Sequence, residues 1–169
     1  MIAAGEYPGG STAGIARERL GIMIDAGIRS FLDLTQPHDP LLPYDVMLSL
    51  EGRERNVETR YKRFGIQDMG VTDVVSMRRI LDYVDGEVAA GRKVYIHCWG
   101  GVGRTGTTVG CYLVRHGQSC DEALETVATL FATMSWRKTS RFPEGSPQTD
   151  VQRAMVRAWT EATTESDGT

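Results

Sequence analysis

The stretch His97-Cys98-Trp99-Gly100-Gly101-Val102-Gly103-Arg104-Thr105-Gly106 constrains this chain more than any other. The apolar run Val94-Tyr95-Ile96 precedes it and Thr107-Thr108-Val109-Gly110-Cys111-Tyr112-Leu113-Val114 follows. The order reads as strand, glycine-rich loop and first turn of a helix. Such a loop suits an anion. Glycines let the backbone turn its N–H groups inward, and the positive end of the helix dipole adds to the field at the centre. At the head of the loop, Cys98 sits where amide donors and the helix terminus favour a thiolate over a thiol, which makes it a candidate nucleophile. Arg104, six residues on, can fold back and present its planar fork to two oxygens of a bound phosphate.

The same letters fit two other loops. Gly101-x-Gly103-x-x-Gly106 matches the dinucleotide-binding fingerprint, with Asp121 or Glu122 at about the distance of a ribose contact. That pattern needs a second parallel strand ending at the acid, whereas Gly117 to Glu122 reads as a turn and a helix start. Gly101-x4-Gly106-Thr107-Thr108 approaches a nucleotide-hydrolase loop but lacks its lysine. Neither pattern accounts for Cys98 and Arg104.

Cys98-x5-Arg104 followed by Thr105 resembles the signature of the cysteine-dependent protein tyrosine and dual-specificity phosphatases. Gly5-Glu6-Tyr7-Pro8-Gly9 is similar to the opening of the small bacterial-type members. The resemblance implies an α/β fold with a central, mostly parallel sheet of about four to five strands flanked by helices. It also implies a loop from Trp99 through Gly100, Gly101, Val102 and Gly103 to Arg104 that wraps the phosphate, with Thr105 steadying the sulfur as leaving group. His97 is expected to tune the thiolate through hydrogen bonds. Phe64 to Asp73 resembles the general-acid loop, with Asp68 some thirty residues before Cys98; Thr72 stands where the family commonly has proline. Asp73 competes for the acid role but suits a helix N-cap better. Thr149 to Gln152 is similar to the family's carboxy-terminal pattern, in which Gln152 either places the hydrolytic water or bonds to backbone.

A chain of 169 residues with 41% hydrophobic content can bury one good core, and one phosphatase domain over residues 1–162 with a frayed tail at 163–169 is expected. A formal net charge of −3 gives no case for nucleic acid as a partner. No segment reaches the length of a transmembrane helix and no signal peptide is evident, so a cytoplasmic location is expected. Cys98, Cys111 and Cys120 are odd in number and lack metal-ligand spacing. Cys111 reads as a small core residue, since the helix would carry it about 10 Å from the loop.

In order, the residues predict an edge strand over 1–7, a helix capped by Ser11 or Thr12 and closed by Gly27, and a buried strand over 29–34. A proline-broken loop over 35–44 follows, in which His38 and Asp39 read as solvent-facing polar residues. A short helix within 45–56, a strand over 58–66 and a helix over 73–90 come next. After the signature helix, a helix over 121–133, a polar irregular segment over 135–147 and a last helix from Thr149 or Asp150 complete the reading. Trp136, Arg137, Lys138 and Arg141 read as an exposed basic loop.

The chemistry so implied is two-step phosphomonoester hydrolysis: attack by Cys98, protonation of the leaving oxygen by Asp68, then hydrolysis of a phosphocysteine. Neither cofactor nor metal is expected, Arg104 and the amides supplying the charge stabilisation. The expected substrate is a protein or peptide bearing phosphotyrosine and phosphoserine or phosphothreonine. A phosphoinositide phosphatase is the alternative, disfavoured by the absence of lysines inside the loop. A non-catalytic phosphate-binding module and a sulfurtransferase are the remaining rivals.

Overall fold

The computed structural model describes residues 1–160; the expected tail at 163–169 lies outside them. Four strands form one sheet in the order β1-β4-β2-β3: β1 (Ile2–Gly5), β2 (Ile28–Asp33), β3 (Arg60–Arg63) and β4 (Lys93–His97). Every pairing is parallel. The helices are α1 (Ala13–Asp25), α2 (Asp45–Glu54), α3 (Val74–Ala89), α4 (Gly103–Arg115), α5 (Cys120–Ala132), α6 (Trp136–Arg141) and α7 (Asp150–Arg157). The α/β architecture and the strand number agree with the sequence expectation.

A parallel sheet needs both faces covered, so its central strands are apolar in both directions. Phe31 pairs with Tyr95 and Leu32 with Ile96, and successive residues point to opposite faces. Phe31 and Tyr95 join Leu20, Ile24, Tyr44 and Leu48 on the α1–α2 side. Leu32 and Ile96 join Met77, Leu81, Cys111 and Val127 on the other. Each fully buried side chain of this kind contributes roughly 1.5–3 kcal/mol.

Helix boundaries follow from local chemistry. Thr12 caps α1, accepting from Ile15 N at 3.3 Å, and Asp73 caps α3, accepting from Ser76 N at 2.8 Å. Ser119 with Glu122, and Thr149 with Gln152, form capping boxes on α5 and α7. In α4 the buried hydroxyls of Thr107 and Thr108 donate back to Gly103 O and Arg104 O at 2.9 and 3.0 Å, so neither is left unpaired. One expectation is corrected. Residues 135–147 are not wholly irregular, because 136–141 form α6; none of its residues is buried, so it shows no apolar period in the sequence.

The register sets the site. Gly5 pairs with His97, His97 with Asp33, and Asp33 with Arg63, so all four strands end in one transverse row at the sheet's C-terminal edge. That edge is where open parallel sheets bind ligands.

Candidate active site

Cys98 follows β4 directly and is 3% exposed. Gly101 takes a φ of +71°, and a Cβ there would stand 2.4 Å from the carbonyl carbon of Gly5. Glycine is therefore required both for the turn and for the close approach to β1. The turn aims Gly101 N–H at Cys98 Sγ, 3.3 Å away, where it stabilises negative charge on sulfur. No side chain caps α4, leaving its first amides to an anion. The outside of the loop is braced by Tyr7 N donating to Trp99 O at 2.9 Å and Ser146 Oγ donating to Val102 O at 2.7 Å.

Arg104 is 1% exposed. Its Nη1 donates to Asp39 Oδ2 at 2.8 Å and to Ile66 O at 3.0 Å. Nη2 lies 2.9 Å from Asp68 Oδ1 without hydrogen-bond alignment, and both Nη2 and Nε are buried with no hydrogen-bond partner. Burial alone would lower the guanidinium pKa; the bond to Asp39 and the nearby Cys98 and Asp68 outweigh it and raise it. One edge of the fork is thus anchored and the other is open. Asp39 is a correction to the sequence reading, because its side chain is 8% exposed and holds Arg104 rather than facing water. His38 is exposed, as read.

Asp68 lies on the loop after β3 and lines the same cleft as Cys98 and Arg104. Next to it Met69 has a φ of +61°, a backbone conformation that non-glycine residues seldom adopt. The loop is tied down by Gln152 Nε2 donating to Gly70 O at 3.0 Å and by Thr149 Oγ1 donating to Met69 O at 3.3 Å. Gln152 Oε1 accepts from Thr149 N at 3.1 Å, so both ends of this buried amide serve backbone, and Gln148 lines the cleft instead. Asp73 occupies its cap, where the bonds from Ser76 hold its pKa below the usual carboxylate value.

The cleft has a volume of about 510 Å³. Trp99, Gly100, Val102, Gly103 and Arg104 line it, while Gly101 turns away toward Gly5. Thr105 is buried outside the cleft lining and its hydroxyl has no hydrogen-bond partner, so the bond to Cys98 Sγ that the resemblance implies is not made. Arg137, Lys138 and Arg141 form one wall; Arg137 and Arg141 are exposed, as read, and Trp136 is 75% exposed.

A family described as "Polymorphic toxin system, DSP-PTPase phosphatase" matches residues 4–118, more than half of the chain and the run from the end of β1 through the signature helix. The chain belongs to that family. Among curated relatives of this DSP-PTPase, the Arabidopsis thaliana "Phosphatidylinositol 3,4,5-trisphosphate 3-phosphatase and protein-tyrosine-phosphatase PTEN1" is 29% identical over 136 residues, 79% of this chain and 31% of that protein. The Rattus norvegicus "Phosphatidylglycerophosphatase and protein-tyrosine phosphatase 1" is 25% identical over 118 residues, 69% of this chain and 59% of that one. The chain spans 31% and 59% of the length of these two relatives. Of solved structures, Tk-PTP in its active form superposes with a TM-score of 0.61 at 22% identity, covering 92% of this chain and 87% of that one. PTPMT1 in complex with PI(5)P gives 0.62 at 20% identity, covering 94% and 89%. These structures share the fold.

Beneath the loop of this DSP-PTPase lies a buried polar network that the sequence reading did not find. His97 Nδ1 bonds to Cys98 O at 3.2 Å and Nε2 to Tyr44 Oη at 2.6 Å, which assigns the proton to Nδ1 and makes Tyr44 a donor. Burial pushes the His97 pKa down to about 4, so the ring is neutral near pH 7. Asp33, the neighbour of His97 in the transverse row, accepts from Thr35 N, Tyr61 Oη and Arg63 Nη2 at 2.8, 2.6 and 3.0 Å. Burial alone would raise the Asp33 pKa, but His97 and the Thr35 and Tyr61 donors outweigh it and the net shift is downward. His97 thus fixes the carbonyl of Cys98 from beneath the loop.

Proposed function

We propose that this DSP-PTPase hydrolyses phosphomonoesters through a phosphocysteine intermediate. The observation that carries the reading is one edge of Arg104: Nε and Nη2 are buried in one cleft with Cys98 and make no hydrogen bond, Nη2 being ion-paired with Asp68 Oδ1 at 2.9 Å. Leaving a buried donor unmade costs about 1–3 kcal/mol, which a phosphate oxygen at that edge would recover.

With the phosphate held by the loop amides and this edge, Cys98 attacks phosphorus as a thiolate. Asp68, protonated, gives its proton to the departing ester oxygen. Once ionised, Asp68 takes a proton from water as the water attacks phosphorus and the S–P bond breaks. The Gly101 N–H, 3.3 Å from Cys98 Sγ, donates to the leaving sulfur. Gln152 acts through the acid loop it ties down and not on the water itself. Protein phosphotyrosine, with phosphoserine and phosphothreonine, is one substrate class; the basic α6 wall favours a phosphoinositide as the second reading. A cytoplasmic location suits a thiolate nucleophile, and among the described residues no helix is long and apolar enough to cross a membrane.

Cys98→Ser should abolish hydrolysis of para-nitrophenyl phosphate, and acid quenching of the wild type during turnover should trap a phosphorylated Cys98. Turnover by Cys98→Ser at the wild-type rate would remove Cys98 as the nucleophile.

A further inference from the structure

We infer that residues 146–153 form a bracket that joins the phosphate loop to the acid loop and sets Asp68 against the leaving oxygen, with Ser146 as a positioning residue. This rests on the phosphomonoesterase reading above and adds to it what holds the acid in place. One foot of the bracket stands on the phosphate loop. Ser146 is buried, and its Oγ donates to Val102 O at 2.7 Å. The other foot stands on the acid loop, where Thr149 Oγ1 donates to Met69 O at 3.3 Å and Gln152 Nε2 to Gly70 O at 3.0 Å. Between the feet the segment is tied to itself. Arg153 donates to Pro147 O and pairs with Asp150 Oδ1 at 3.0 Å, and Gln152 Oε1 accepts from Thr149 N at 3.1 Å.

Three glycines of α4 make its seat. Gly103, Gly106 and Gly110 lie at i, i+3 and i+7, on one face of the helix. A Cβ on Gly103 would stand 2.8 Å from both Nε2 and Oε1 of Gln152, one on Gly106 2.1 Å from Ser146 Oγ, and one on Gly110 2.8 Å from Val156 Cγ2. Gly106 and Gly110 do not line the cleft, so the anion does not account for them. The bracket does, because their missing side chains let it lie against the helix backbone. The Gln152 amide accordingly touches Gly103 on one side and Gly70 on the other. The acid loop needs such a hold. The Asp68 side chain is 56% exposed, and Met69 keeps a φ of +61°, from which a freed loop would relax. Proton transfer demands heavy atoms within about 2.6–3.2 Å, and the phosphate loop keeps its second brace from Tyr7 N. Loosening the bracket therefore weakens protonation of the leaving oxygen more than attack by Cys98.

The test compares kcat/KM of the full chain for phenyl phosphate, whose leaving oxygen needs a proton, and dinitrophenyl phosphate, whose leaving oxygen departs without one. Ser146→Ala should lower the first about tenfold and the second by less than about twofold. Gly106→Ala, which drives a Cβ into Ser146 Oγ, should lower phenyl phosphate turnover further. The next atom it would meet is Pro147 Cα at 3.3 Å, so Gly106→Ala combined with Ser146→Ala should recover the level of Ser146→Ala alone. Ser49→Ala on α2, whose hydroxyl also donates to a carbonyl, should leave the ratio of the two esters unchanged. Equal falls for both esters in Ser146→Ala, as a merely structural loss would give, or a double variant no better than Gly106→Ala would overturn the inference. Amide exchange reads the bracket without turnover. The Gly70 N–H, which donates to Gln67 O at 3.1 Å, should exchange about tenfold faster in Ser146→Ala, and unchanged protection would also overturn it. A wild type inert toward both esters, with that faster exchange present, would sink the catalytic proposal alone.

Discussion

Replacing Gly101 with alanine tests the phosphate loop through its backbone. Its φ of +71° would cost an L-residue about 1–2 kcal/mol. The added Cβ would also stand 2.4 Å from the Gly5 carbonyl carbon and oxygen and 2.6 Å from Glu6 N. All three are main-chain atoms, held by the pairing of Gly5 with His97 and by the bond from Tyr7 N to Trp99 O, so relief requires the loop to lift off β1. Losing the Tyr7 bond adds about 1 kcal/mol, for a total of about 3 kcal/mol of stability. The same lift withdraws the Gly101 N–H from Cys98 Sγ, and a hydrogen bond to a charged group is worth about 1.5–3 kcal/mol, or roughly a 10- to 100-fold fall in kcat. Gly100→Ala is the stability control. Gly100 is not among the positive-φ glycines, and its nearest Cβ neighbour, Phe142 Cζ at 3.4 Å, is in ordinary contact, so its cost should be below about 1 kcal/mol. Urea unfolding and steady-state kinetics on para-nitrophenyl phosphate read both quantities. Equal losses of stability from the two alanines, or a Gly101→Ala protein with the wild-type midpoint and kcat, would refute the reasoning.

Asp68→Asn should lower kcat by about 100-fold and remove the alkaline fall of the pH–rate profile, whereas Asp73→Asn should leave that profile's shape intact. Persistence of the alkaline fall in Asp68→Asn would assign the proton donor elsewhere. Because the His97 pKa is depressed to about 4 in the fold against about 6.5 unfolded, the unfolded chain takes up the proton first, and stability is lost as pH falls through that window. Chemical denaturation should show a loss of about 2 kcal/mol between pH 7 and pH 5 from this group, with a flatter slope in His97→Gln. Gln152→Leu, which keeps the volume but cuts the ties to Gly70 and Thr149, should lower kcat about tenfold with KM little changed. A matching rise in KM would instead place Gln152 against substrate.

What the sequence made legible was local. The glycine spacing between His97 and Gly106 needs no partner to be understood, because turn, amides and helix start lie within one loop. Asp68 was readable as a cleft residue for a similar reason, as an acid on the loop after a strand, and Asp73 as a cap by its pattern. Asp39 was not, since its partner Arg104 lies 65 positions away and only the path of a proline-broken loop joins them. Asp33 and Tyr44 looked like ordinary strand and loop residues until the register set His97 beside one and under the other. The α6 cations were hidden by the helix itself, which has no buried face to mark it. Gln152 carried two readings in the sequence, and in the fold its amide bonds to the backbone of Thr149 and Gly70.

The transverse row of Gly5, His97, Asp33 and Arg63 makes the reactive centre a gauge of how the strands align. A slip of one residue in β2 or β4 would carry a strand end about 3.3 Å along its axis and turn its side chains to the opposite face. Either displacement exceeds the tolerance of a proton transfer. On the proposed mechanism, turnover therefore requires all four strands in step, and a half-assembled chain would have no graded level of catalysis to offer.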